Sequence, residues 1–579
     1  MKSVCVAVLV LAAGAAFATE TWRNGERQPL WPNGRIPDFQ AHQIGAMADE
    51  VRDAGFDRSK RTMPYLEWFD APTNSNGGCM ILVSGGAYGC CSDVWLIKLW
   101  KERFGKLGYQ TVNLVYRTPR PKDAPCYRSA WQDGQRAVRL VRSQAKLRGF
   151  DPEKIGVIGM SAGGHLVTML ATSALTQSYQ KVDDLDEMPC HVNWCIANAP
   201  AYNTLTSADG IARPQDGTTF VPSVNPAFRF DAKTCPISFH HGGIDPYTPN
   251  GSTLCYRELR KRKIPAELHL YADKAHGAHG LERAVEFMCQ MNFFGKLSPE
   301  EPVLKRYSND DARASYAKEY VWPAGKMPDV QTNQCTPYLE WHVPRTLSTR
   351  AIQIVFSGGA YIQNDPNGYE VAPVRRYFNE KGMTVVTMRY RTPRPVGIPK
   401  HLTAWQDLQR TIRIVRSKAV AKGLDPDRIG IMGFSAGGHL ALMGATSSRQ
   451  RAYTPIDSVD EVSCKVQWAV PVYPAYVLTD GLDDCNTQGG NEDSAVIASE
   501  FLFDMDTCPA CFVHGDSDRW AAMNSVKAWE QMRRMNIQSD LHVLAMRGHS
   551  FQRTASPGTG SYTWMERVWD FLDRKGFNK

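Results

Sequence analysis

The sequence lacks any long apolar run beyond its opening residues: after residue 18 no stretch reaches the roughly 20 apolar residues of a bilayer span, which excludes a helical membrane crossing there. Neither sign of charge dominates. The 67 Lys and Arg against 59 Asp and Glu leave a net +8 spread over 579 residues, so a dedicated nucleic-acid or membrane-surface binder has no compositional support. The densest basic run, 257–263, is interrupted by Glu258 and reads as a solvated helix face. With only 46 Gly and 35 Pro, collagen-like and disordered classes are excluded. No His-Glu-x-x-His, clustered His/Cys ligand set or P-loop lysine is present, which argues against metal-dependent hydrolysis and nucleotide binding. What is there is globular: 43% apolar and 22% charged residues, in a chain too long for a single core.

The first residues read as an address. Lys2 supplies a positive start, residues 4–14 are almost purely apolar, and Ala16-Phe17-Ala18 is a small-x-small cleavage site before Thr19. This pattern predicts a signal peptide over 1–18 and a secreted or periplasmic mature chain with no membrane attachment after cleavage.

The rest is one domain written twice. Pro64-Tyr65-Leu66-Glu67-Trp68 returns as Pro337-Tyr338-Leu339-Glu340-Trp341, and Ser84-Gly85-Gly86-Ala87-Tyr88 as Ser357-Gly358-Gly359-Ala360-Tyr361, both at an offset of 273. Tyr116-Arg117-Thr118-Pro119-Arg120-Pro121 and Ala130-Trp131-Gln132-Asp133 return 274 residues later, from Tyr390 and Ala404. The opening Trp31-Pro32-Asn33-Gly34 returns as Trp322-Pro323-Ala324-Gly325 at 291, so copy one carries an insertion of 18 residues, expected within 41–63. A polar stretch at 298–318 marks the boundary, which divides the mature chain into 19–300 and 301–579. In each copy short apolar runs alternate with amphipathic stretches. Strands are expected at 80–83, 111–115, 155–158, 192–197, 237–239 and 267–271, and at 352–356, 384–388, 429–432, 466–470, 510–513 and 540–544. Such alternation predicts a mostly parallel twisted sheet with helices on both faces, an α/β fold.

Chemistry concentrates where a strand meets a helix. Gly159-Met160-Ser161-Ala162-Gly163 and Gly433-Phe434-Ser435-Ala436-Gly437 both read strand, G-x-S-x-G, helix, the form of a nucleophile elbow. One G-x-S-x-G is weak evidence; two in register in that context are strong. A serine is a weak nucleophile until a histidine takes its proton and a carboxylate orients that histidine, in the chain order Ser, Asp, His. The repeat selects the partners. Asp245 aligns with Asp518, leaving Asp516 opposite Gly243 as a turn residue, and both Asp245 to His276 and Asp518 to His549 span 31 residues. His279 is the rival of His276. His269, His542, His165 and His439 read as structural. Oxyanion donors are expected from the backbone N–H of Gly86 with Ala162 and of Gly359 with Ala436, with Gly85 and Gly358 as alternatives.

On these motifs, together with Asp425-Pro426-Asp427-Arg428-Ile429-Gly430 before the second elbow and His514-Gly515-Asp516-Ser517-Asp518, each copy resembles the bacterial α/β-hydrolases of the acetyl xylan esterase and feruloyl esterase type. The resemblance covers nearly all of both halves. It implies two tandem α/β-hydrolase domains and a secreted serine esterase that removes acetyl or feruloyl groups from acylated plant polysaccharides such as xylan, without a cofactor. Two alternatives stand beside it: one domain catalytic with the other a glycan-binding or structural remnant, and a serine peptidase. In copy two Arg519-Trp520 replaces the Asp-Pro continuation that copy one keeps as Asp245-Pro246, and the copies differ at 203–229 and 480–493, before the acid loop, so two sites of different preference are expected.

Fourteen cysteines remain after cleavage. Cys190 and Cys464, like Cys235 and Cys508, recur just before strands, and bridges Cys190–Cys235 and Cys464–Cys508 are expected. Cys508-Pro509-Ala510-Cys511 has a redox-like C-x-x-C form, but Cys511 has no counterpart in copy one.

Overall fold

The structure, a computed structural model, describes residues 22–61, 63–71, 75–204, 223–293, 316–479, 493–554 and 560–579. The expected signal peptide lies outside the described residues, as do most of the boundary stretch 298–318 and most of 203–229 and 480–493. The chain divides into two compact units, Met1–His269 with Lys274–Lys296, and Leu297–Lys579 with Leu270–Asp273.

The first unit is built on β1 (Arg27–Pro29), β2 (Tyr65–Phe69), β3 (Cys79–Val83), β4 (Gln110–Val115), β5 (Ile155–Met160), β6 (Trp194–Asn198), β7 (Ile237–Gly242) and β8 (Ala266–Tyr271), in the sheet order β1-β2-β4-β3-β5-β6-β7-β8. The second uses β9 (Lys318–Tyr320), β10 (Tyr338–His342), β11 (Ile352–Phe356), β12 (Thr384–Arg389), β13 (Ile429–Phe434), β14 (Trp468–Val472), β17 (Cys511–Gly515) and β18 (Asp540–Leu544) in the matching order β9-β10-β12-β11-β13-β14-β17-β18, with β15 (Leu478–Thr479) and β16 (Val496–Ile497) as a separate ribbon. Strands β3 to β7, and β11 to β14 with β17 and β18, pair in parallel. Every residue of β3, β5, β11 and β13 is buried, as a parallel sheet covered by helices on both faces requires.

The strand expectation missed the antiparallel edge. The Pro-Tyr-Leu-Glu-Trp repeat forms β2 and β10, antiparallel to β4 and β12. A glutamate at the centre of each five-residue strand masks the apolar run. The insertion of copy one lies between Ile44, which pairs with Thr118, and Pro64, and includes the short helix Ala48–Arg52.

Three repeated motifs converge on one buried cluster in each unit. Arg117 donates from its backbone N–H and Nε to Asp133, at 2.8 and 3.0 Å, and Trp31 Nε1 donates to the same carboxylate at 2.8 Å. Arg391, Asp407 and Trp322 repeat the arrangement at 2.8, 2.9 and 2.6 Å. Arg117 also reaches the Pro37 carbonyl and Gln132 Oε1, so the opening segment, the Tyr-Arg strand end and the long helix Arg128–Arg148 are tied together. Such a pair gives little net stability relative to apolar packing, but breaking it strands a charge in the interior.

The expected bridges are corrected: all thirteen described cysteines are free. Cys190 and Cys464 instead donate to the carbonyls of Ala174 and Ser448 at 3.2 and 3.3 Å, just beyond the ends of the helices Ala162–Thr172 and Ala436–Thr446. Cys508 and Cys511 are likewise separate buried thiols, pushed upward in pKa by burial. Among the described residues no helix is long and apolar enough to cross a membrane.

Asp407→Ala leaves Arg391 buried without its counter-charge and is expected to cost about 3–5 kcal/mol. Urea unfolding of the full chain measures this, and Asp407→Asn is expected to lose less.

Candidate active site

Both elbows place the serine where only surrounding structure can hold it. Ser161 has φ 57° and ψ −120°, and Ser435 has φ 54° and ψ −116°, a strained region for a residue with a Cβ. The flanking glycines make the turn possible. A Cβ on Gly433 would lie 2.0 Å from the Gly437 carbonyl oxygen, and one on Gly159 would lie 2.4 Å from that of Gly163.

In the second unit the serine, histidine and aspartate from three loops meet. Ser435 Oγ lies 2.7 Å from His549 Nε2, and His549 Nδ1 lies 2.8 Å from Asp518 Oδ2. In the first unit His276 Nδ1 is 2.7 Å from Asp245 Oδ2, but no hydrogen bond joins Ser161 to His276. The other histidines are occupied elsewhere. His279 Nε2 lies 2.9 Å from the Ala275 carbonyl, His269 pairs with Glu267, and His165 and His439 sit against the hydroxyls of Tyr88 and Tyr361. Asp516 marks the turn after β17, its N–H donating to the Leu544 carbonyl, while His549 takes Asp518.

Asp245 and Asp518 each have a second imidazole beside them that sequence reasoning left without a role. His241 Nε2 stands 3.1 Å from Asp245 Oδ2 and His514 Nε2 3.2 Å from Asp518 Oδ2, each ring anchored through Nδ1 to Ser252 or Ser525. Burial alone would raise both carboxyl pKa values. The two imidazoles at each acid outweigh it and hold them well below the usual carboxylate range. The Tyr247 and Trp520 backbone N–H groups add a bond to the remaining oxygen, each at 2.8 Å. The signal was present: a histidine four residues before the aspartate in both copies.

The loop beside the elbow divides its donors. Gly358 N–H donates to Glu370 Oε2 at 2.7 Å and Gly85 N–H to Asp93 Oδ2 at 3.1 Å, which takes both alternatives out of the site. Gly86, Ala162, Gly359 and Ala436 have no protein acceptor for their backbone N–H groups among the described residues. Gly359 sits at φ 111°, where a Cβ would lie 2.0 Å from the Gln363 carbonyl oxygen, so only glycine fits. Tyr390 OH fixes the loop from below through the Ser357 and Gly358 carbonyls.

Glu370 and Asp93, the residues directly before the helices Val371–Glu380 and Val94–Lys106, were not foreseen. Burial raises the Glu370 pKa, and its other oxygen accepts from Tyr473 OH at 2.9 Å. Ala199 occupies the place of Tyr473 in copy one, each at positive φ with its N–H donating to a carbonyl of the next strand, that of His240 on β7 or Val513 on β17. A cavity of about 680 Å³ opens over Ser435 and His549, walled by Tyr369, Tyr476, Trp520 and Arg519.

Two α/β domains, each with a serine elbow beneath its loops, define an α/β-hydrolase. The chain belongs to the BD-FAE family, whose model matches residues 69–258 and 339–531. It is similar to an acetylxylan esterase of Xylanibacter ruminicola, 28% identical over 225 residues that cover 36% of this chain and 42% of that protein. It is also similar to an endo-1,4-beta-xylanase B of Butyrivibrio fibrisolvens, 26% identical over 241 residues that cover 40% of this chain and 36% of that protein. The chain thus spans about two fifths of the length of these curated relatives. Among solved structures, an acetyl ester-xyloside bifunctional hydrolase from Caldicellulosiruptor lactoaceticus aligns at 22% identity with a TM-score of 0.38, over 45% of this chain and 97% of that one.

The depressed Asp518 pKa sets a pH signature. An unfolded aspartate titrates near about 3.9, so the stability this carboxylate contributes is present above that pH and is lost as pH falls toward its lower folded value. Asp518→Asn is therefore expected to lower the urea midpoint of the full chain at pH 7, with the difference from wild type shrinking steadily below about pH 4. A difference independent of pH would contradict the assignment.

Proposed function

We propose that the protein is a secreted serine esterase that cleaves acyl esters, acetyl or feruloyl, from plant polysaccharides such as xylan. Ser435, His549 and Asp518 form one catalytic triad, and Ser161, His276 and Asp245 the other. The observation that carries the reading is the chain of hydrogen bonds from Ser435 Oγ through His549 to Asp518 at the floor of the cavity. His549 Nε2 takes the Ser435 proton as Oγ attacks the ester carbonyl, and Asp518 holds the Nδ1–H of the resulting imidazolium. The Gly359 and Ala436 N–H groups receive the oxyanion. His549 then protonates the departing sugar oxygen. A water attacks the acyl-serine, gives its proton to the same imidazole, and the acid leaves with Ser435 restored. Trp520, partly exposed on the cavity wall, offers a ring face for a sugar or an aromatic acyl group. Membership of the BD-FAE family and likeness to an acetylxylan esterase support the substrate class, and the leader-like residues 1–18 support export.

The open Ser161–His276 pair favours unequal halves, with domain two the faster. Acetate release from acetylated xylan is expected to fall more in Ser435→Ala than in Ser161→Ala, and at least about a thousandfold in the double variant. Intact mass after brief exposure to an organophosphate is expected to show the Ser435 adduct first and the Ser161 adduct later. Unchanged acetate release by the double variant would overturn the mechanism. A single adduct even at long exposure would leave one domain as a non-catalytic remnant.

A further inference from the structure

Copy two places ligating side chains around a histidine that copy one surrounds with Asn225 and Tyr127. His165 and His439 occupy the same place, four residues after the elbow serine, and each ring is held through Nδ1 by the hydroxyl of Tyr88 or Tyr361, at 2.7 and 2.8 Å. In copy one the other nitrogen, Nε2, faces Asn225 Nδ2 at 3.4 Å and the Tyr127 ring packs alongside. In copy two Nε2 faces Glu500 Oε1 at 3.0 Å, and His401 replaces Tyr127, its Nδ1 lying 3.8 Å from that oxygen. The residue matching Glu500 in copy one is Ala227, since Ser173 and Ser447 donate to the carbonyls of Ala227 and Glu500 respectively.

We propose that His401, His439 and Glu500 form a binding site for a divalent transition ion of the zinc class, present in domain two alone. The three ligand atoms lie within 4.8 Å of one another. Small shifts would bring them to the roughly 2.0–2.2 Å bonds zinc makes with imidazole nitrogen and carboxylate oxygen. Two imidazoles and one carboxylate are a ligand set suited to zinc rather than to calcium or magnesium, which favour all-oxygen shells. The Tyr361 hydroxyl on His439 Nδ1 fixes ring orientation, as outer partners of metal-bound histidines do. His439 is buried while His401 and Glu500 keep 15% and 18% of their side chains exposed, which leaves an entry path and open coordination positions for water. Lys400, beside His401, places its ammonium over the Tyr476 ring at 4.1 Å. An ion here would join the elbow helix to the 498–502 segment. It would also act, through Tyr361, on the loop that carries Gly359.

The test compares the full chain with the variant His401→Tyr/Glu500→Ala, which restores the copy-one residues at both positions. After incubation with zinc chloride and desalting, wild type is expected to retain one equivalent of zinc more than the variant, by elemental analysis at fixed protein concentration. Cobalt(II) bound to wild type is expected to give visible d–d bands of a four- or five-coordinate nitrogen–oxygen site, lost in the variant. Equal zinc content in the two proteins, or a wild-type cobalt spectrum showing only thiolate charge transfer or only the six-coordinate aqueous ion, overturns the proposal. The wild-type cobalt spectrum decides the matter even if the variant does not fold.

Discussion

The site depends on a serine held in a backbone conformation that side chains resist. At φ near 55° Ser161 and Ser435 carry local strain of order 1–3 kcal/mol, retained because strand and helix close on the turn from both sides. The closure is a matter of missing atoms. The glycines two residues before and after each serine let backbone approach backbone, and the second of each pair also lies against the Ser84–Tyr88 or Ser357–Tyr361 loop, a Cβ on Gly437 meeting the Ser357 carbonyl oxygen at 2.5 Å. Elbow and loop are thereby positioned as one body, so a displacement of either moves the hydroxyl and the backbone donors together.

Around that body the acids take different parts. Asp518 is stabilised as an anion by two imidazoles and a backbone N–H, while Glu370 sits in an environment that favours its neutral form and binds the donors not aimed at the cavity. Under the proposed mechanism the carboxylate that orients the base must stay charged. The one that braces the loop needs only to accept hydrogen bonds, so burial can raise its pKa without loss of function. Copy one keeps both parts with an aspartate at each place but lacks the tyrosine that ties Glu370 to the rim of the site.

Much of this was legible in the sequence because the chain states its domain twice. A constant spacing of 31 residues singled out Asp245 with His276 and Asp518 with His549, and the structure brings each pair within hydrogen-bonding distance. The central strands were readable because burial on both faces makes them continuous apolar runs. The edge strands β2 and β10 were not, since each carries a glutamate at its centre. The expected disulfides failed because a recurring cysteine before a strand is equally consistent with a thiol that donates to a helix-end carbonyl, which is what Cys190 and Cys464 do. Glu370 escaped because the loop before it is four residues longer than in copy one, which breaks the register that exposed everything else. His514 stands in a motif that the sequence displays, yet the contact that it and His241 make with the acid is a property of the turn's three-dimensional closure.

The free thiols of both domains carry a consequence for biosynthesis. Among the described residues no cysteine is cross-linked, so the folding of that part of the chain draws no covalent stabilisation from an oxidising destination. If the chain is threaded across a membrane unfolded, the timing must then be kept by the speed of targeting or by a holding chaperone, because redox chemistry offers no brake.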